Sequence, residues 1–202
     1  MGSKAAPFAH FVAPLRDLIA WFGAEGVPGV VIGGVAAGLL GRPRATQHLD
    51  AVVLLAPERW AAFLEAGTRF GFGPRVSEAL NFARQARVLL VRHGASAVDA
   101  DVTFAGLPFE EEVVASAKPV EVGGVLVPLP TPEDLIVMKA FAHRPRDMAD
   151  IESLLDSHPK LDLRRVRRWV REFAATVDAP ELATDLEALI AAKRKRKRKK
   201  KP

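Results

Sequence analysis

The pattern of the chain changes at residue 130. Before it, short apolar stretches bounded by Gly and Pro alternate with segments at helical spacing. Beyond it, every periodic segment has helical spacing. Mixed elements followed by helices alone predict an α+β fold: a mixed sheet flanked by helices, with a C-terminal helical part. The expected boundaries are a core over residues 1–130, a helical region packed on it over 131–192, and a disordered basic tail over 193–202.

Within the core, Phe11, Leu15, Leu18, Ile19 and Phe22 mark a first helix, stopped by Gly26-Val27-Pro28-Gly29. Strands are expected at 30–32, 49–55, 88–92 and 97–104, with a strand–turn–strand over 120–129. Short helices are expected at 35–40, 57–70 and 108–116, while 77–85 reads as a helical turn or a loop. In the second half, Thr131-Pro132-Glu133-Asp134 is a helix start, with Thr131 as N-cap and Pro132 in the first helical position. Helices over 145–155, 163–175 and 180–192 complete the series.

Three segments carry candidate chemistry. Gly33-Gly34 lies between an apolar strand and a short helix, where backbone N–H groups can approach a phosphate closely; the plain alternative is a turn. Arg42-Pro43-Arg44-Ala45-Thr46-Gln47-His48-Leu49-Asp50 then presents two arginines ahead of a carboxylate at a strand start. In Val98-Asp99-Ala100-Asp101-Val102, the two acids share one face of a strand and repel each other. A metal ion or a basic partner would offset that repulsion; solvated carboxylates on an edge strand are the alternative.

In order and spacing these segments resemble the GG-x-A … R-x-T-x-D-x-D signature of the nucleotidyltransferase fold. More narrowly they resemble the AbiEii-type toxins and the minimal nucleotidyltransferases related to them. Leu107-Pro108-Phe109-Glu110 and the later Pro132-Glu133-Asp134-Leu135, Lys139, Arg144, Asp147 and Asp150 continue the likeness, which spans residues 27–156. The resemblance implies a nucleotidyltransferase-like mixed sheet and metal-dependent transfer of a nucleoside monophosphate from a triphosphate to an RNA or protein acceptor. It implies Asp50 and Asp101 as catalytic carboxylates. Gly33, Gly34, Arg42, Arg44, Thr46, Lys139 and Arg144 would bind the nucleotide, and His48, Asp50, Asp99 and Asp101 would surround the metal. Mg²⁺ is the implied ion, since it takes hard oxygen ligands. His48 stands where the family has an acid, which brings in Mn²⁺ or a softer divalent metal as alternatives, and with them a degenerate member that only binds nucleotide, RNA or a partner. Lys139 and Arg144 have a second reading as helix residues paired with Asp147 or Asp150.

Charge and composition bear on partners. Nine of the 29 Lys and Arg residues form the unbroken run 193–201; the other 20 face 24 acids, so the body is net acidic. The run itself would attract RNA, DNA or an acidic protein, and the resemblance separately implies a cognate toxin or antitoxin as a partner. Arg164, Arg165, Arg167, Arg168 and Arg171 line a helix whose other face is apolar. No apolar run is long enough for a membrane span and cysteine is absent, so a cytoplasmic protein without disulfides is expected.

Overall fold

The computed structural model describes residues 6–199. They form two compact units: one comprises the described residues up to Ala36 together with Pro43–Pro130, the other Ala37–Arg42 together with the described residues from Thr131.

The first unit is built on a five-stranded sheet in the order β1-β2-β5-β4-β3, from Gly29–Ile32, His48–Val53, Val98–Phe104, Val88–His93 and Phe72–Pro74 respectively. Only β2 and β5 run parallel; the other neighbours are antiparallel. Along β5, Val98, Ala100, Val102 and Phe104 are buried, while Asp99, Asp101 and Thr103 between them are half-buried. One face therefore enters the core and the other carries the acids. Around the core, Trp21 of α1 (Val12–Ala24) stacks on Phe63 of α3 (Trp60–Gly67) at 4.3 Å, and Trp60 stacks on Phe104 at 4.1 Å. The short α2 (Gly33–Leu40) follows β1 directly, and α4 (Ala79–Ala86) settles residues 77–85 as a helix. A separate hairpin of β6 (Lys118–Val122) and β7 (Val125–Leu129) follows α5 (Pro108–Ala115).

The second unit is helical: α6 (Pro132–Ala142), α7 (Pro145–Ser157), α8 (Leu163–Thr176) and α9 (Glu181–Lys199). Thr131 Oγ1 accepts the Asp134 N–H at 3.1 Å, so the capping residue starts α6 as its sequence dictates. On α8, Arg165 pairs with Asp134 and Arg167 with Glu187, so part of the basic face is neutralised within the unit. α9 runs through Lys199, and residues 200–202 of the basic run expected to be disordered lie outside the described ones. Lys and Arg are good helix formers, and Arg196 lies 3.8 Å from Glu152. The fold class is thus α+β, a mixed sheet flanked by helices with a helical C-terminal part. Among the described residues no helix is long and apolar enough to cross a membrane.

Candidate active site

Strand register brings the acids together. In the parallel β2–β5 pair, Asp50 stands beside Asp101 and His48 beside Asp99; across β4, Arg92 stands beside Asp99. Partner positions on neighbouring strands face the same side, so these five residues form two adjoining rows on one sheet face. Ile32 is the β1 partner of Asp50, which puts the Gly33-Gly34 turn next to that carboxylate.

The two glycines are required by close approach. Gly33 has φ +63°, and a Cβ there would stand 1.9 Å from Asp50 Oδ2. A Cβ on Gly34 would stand 2.5 Å from Thr46 Oγ1 and 3.5 Å from Arg44 Nη2. Thr46 Oγ1 in turn lies 3.4 Å from the His48 carbonyl. Gly33, Gly34, Arg44, Thr46, His48, Asp50 and Asp101 therefore cluster within the first unit.

Asp99 and Asp101 differ in what holds them. Asp99 accepts from Arg92 Nε at 2.6 Å and from Arg75 Nη1 at 2.9 Å. The Arg92 hydrogen bond above all, with Arg75 helping against partial desolvation, lowers its carboxyl to about 2. Asp101 accepts from Arg75 Nη2 at 2.6 Å. Burial pushes its carboxyl above the usual range; the Arg75 charge opposes this, and neighbouring Asp50 reinforces it. Arg75 carries no motif and escapes sequence reading. The like-charged pair Asp99 and Asp101 was the one signal that a cation had to lie nearby.

The implied divalent ion can be tested against this donor set. Asp50 and Asp101 offer carboxylate oxygens from adjacent positions, which suits Mg²⁺, an ion bound through one or two carboxylates and completed by substrate phosphates. Among the described residues no group of three or more His, Asp or Glu is gathered to hold a metal alone. Asp99 is engaged by two guanidiniums, and His48 is exposed at the strand start. The fit is thus to an ion shared with phosphate oxygens.

The remaining candidates belong to the second unit. Lys139 is buried, with Nζ 2.9 Å from both Asp147 Oδ1 and Asp150 Oδ2. Arg144 Nε donates to Asp147 Oδ2 at 2.5 Å. Burial alone would raise Asp147, yet Arg144 and Lys139 together hold its carboxyl below the usual range. Arg42 Nη2 lies 2.7 Å from Asp156 Oδ2, and its backbone N–H donates to Ser153 Oγ at 2.6 Å. These three cations thus have carboxylate partners inside their own unit.

Comparison with known proteins adds the family. No curated protein matches the chain in sequence. The fold is similar to that of the antibiotic-resistance factor ANT(2'')-Ia (TM-score 0.56, 19% identity, covering 84% of this chain and 94% of that one). It is also similar to an antigenic nucleotidyltransferase-like protein from Paracoccidioides brasiliensis (TM-score 0.51, 13% identity, covering 87% and 92%). The family model described as "Nucleotidyl transferase of unknown function (DUF2204)" matches residues 88–198, more than half of the chain and inclusive of Asp99 and Asp101, and the protein belongs to that family.

Proposed function

We propose that this chain transfers a nucleoside monophosphate from a nucleoside triphosphate to an acceptor hydroxyl, with Asp50 and Asp101 as its working carboxylates. The observation that carries the reading is their side-by-side register, directly beside the Gly33-Gly34 turn. In such a transfer the acceptor oxygen bonds to the α-phosphorus, the bond to the leaving pyrophosphate breaks, and the hydroxyl proton passes to a base. A carboxylate oxygen of Asp101, beside Asp50, would take that proton. Arg44, Thr46 and the Gly33-Gly34 backbone would orient the phosphates. Asp50 and Asp101 would hold a divalent ion, which when bound neutralises charge on the phosphate oxygens.

The test is calorimetric binding of each nucleoside triphosphate with Mg²⁺ and with Mn²⁺, followed by transfer of labelled AMP or CMP. Asp50→Asn should abolish metal-dependent binding and transfer alike. Transfer by Asp50→Asn at the parent's rate would sink the reading. The second reading is a degenerate member that binds nucleotide without turnover. It is favoured by His48, a neutral or cationic side chain beside Asp99 where the family pattern has an acid. Metal-dependent nucleotide binding with no labelled product from RNA or protein acceptors would decide for it.

The resemblance to AbiEii-type toxins extends the proposal to an RNA or protein acceptor within a toxin–antitoxin or related pair. The basic run 193–201 would add non-specific attraction to nucleic acid. Truncation after Ala192 should weaken RNA binding and flatten its salt dependence; unchanged affinity would remove the run from the functional account.

A further inference from the structure

The acid-bearing face of the sheet carries two cations to which the transfer reading gives no task. Arg92 sits beside Asp99 on the neighbouring strand and donates to it twice, at 2.6 and 3.2 Å. Arg75 arrives from the stretch between β3 and α4. Its backbone N–H donates to the Leu90 carbonyl at 3.0 Å, which fixes where the side chain starts. From there one guanidinium bridges two acids, Asp99 at 2.9 Å and Asp101 at 2.6 Å, with only 22% of the side chain exposed.

The two arginines are not equivalent. Arg92 is bound to Asp99, whereas Arg75 reaches Asp101, the carboxylate beside Asp50. Three acids on this face face two fixed cations, so the cluster carries little net negative charge before any ligand arrives. A guanidinium cannot shed its proton in this pH range, so Arg75 stops neutralising Asp101 only by moving away. Asp99 keeps Arg92 when it does. A triphosphate gives Arg75 an alternative partner of the kind guanidinium binds best.

Resting on the reading of Asp50 and Asp101 as the metal–nucleotide pair, we infer that Arg75 is a built-in counter-cation which a divalent ion must displace from Asp101. The free protein therefore holds the ion weakly and takes it up together with the nucleotide. Arg75 is a positioning residue in this scheme: it acts through Asp101 and forms no bond to the reacting atoms.

The test reads metal binding without turnover. Mn²⁺ is titrated into the full chain without nucleotide, and free Mn²⁺ is followed by electron paramagnetic resonance. Arg75→Gln should bind Mn²⁺ about tenfold more tightly than the parent, as expected for removing a cation in contact with a ligand carboxylate. Adding Asp50→Asn to Arg75→Gln should erase the gain. Arg75→Lys, which offers a single nitrogen to two acids, should fall between parent and Arg75→Gln. Equal affinities for parent and Arg75→Gln overturn the inference, and so does a gain that survives Asp50→Asn. If Arg75→Gln does not fold, an Arg75→Lys affinity no higher than the parent's overturns it too. A fluorescent triphosphate titrated with Mn²⁺ separates the two proposals. Nucleotide binding by the parent without a metal gain in the variant removes only the role of Arg75. A metal gain without nucleotide binding removes the transfer reading and leaves the counter-cation in place.

Discussion

Gly33 and Asp50 share a volume that admits only one side chain. With φ at +63° and the Asp50 Oδ2 within 1.9 Å of where a Cβ would stand, the glycine and the carboxylate are two halves of one arrangement. The turn that looks like a phosphate cradle in the sequence is also the seat of an acid.

Gly33→Ala should therefore do two things. Left-handed backbone strain and the clash with Asp50 should cost about 1–3 kcal/mol of stability. The displaced carboxylate should weaken metal-dependent nucleotide binding. Thermal melts and calorimetry on the same preparation check both, and an alanine variant with unchanged melting and binding would contradict the packing described.

His48 stands beside Asp99 at the start of β2, next to the Asp50–Asp101 row. His48→Asp restores the acid of the family pattern and adds negative charge where a metal–triphosphate would sit. Transfer should rise by up to about a hundredfold, the worth of one strong electrostatic contact of about 3 kcal/mol. A parent more active than His48→Asp would mean that the imidazole has a use of its own.

Acid should loosen the first unit through Asp99. Its carboxyl is lowered to about 2 in the folded chain, against about 3.9 for an unfolded aspartate. A depressed carboxyl stabilises above the unfolded value, and that contribution is lost as pH falls from about 4 towards about 2. Because Arg92 is largely exposed, the contribution is expected to be about 1 kcal/mol after solvent screening. Asp99→Asn should lower stability near neutrality and flatten the loss below pH ~4; denaturant melts across pH provide the check.

Lys139 tests the opposite situation, a charge deep in the second unit. Lys139→Met leaves Asp147 and Asp150 buried without their shared ammonium and should destabilise by about 3–5 kcal/mol. Chemical denaturation reads the loss directly. A variant that keeps its stability and loses only nucleotide affinity would instead assign this lysine to the ligand.

Local chemistry made much of this legible in the sequence. Thr131, Pro132 and Asp134 announce the start of α6 because capping involves residues three apart. Asp99 and Asp101 announce a shared face because strands alternate. Two features escaped. β3 is only Phe72–Pro74, too short to show alternation, and it exists as a strand because β4 pairs with it. Arg75 lies 24 residues from Asp99, so no local pattern ties them; the need for a basic partner could be read, its address could not. In the run from residue 193 the sequence carries two opposed signals: its charge argues for disorder, while its residue types favour continuing α9.

The single parallel pairing in the sheet also sets the length of chain that each carboxylate contact must close. Arg92 and Asp99 face each other across a hairpin closed by a short turn, a contact of little loop-closure cost. Asp50 and Asp101 meet only where β2 pairs with β5 across about half a hundred intervening residues, a longer loop closure. The contact that neutralises Asp99 thus costs less chain entropy than the one that sets Asp50 beside Asp101.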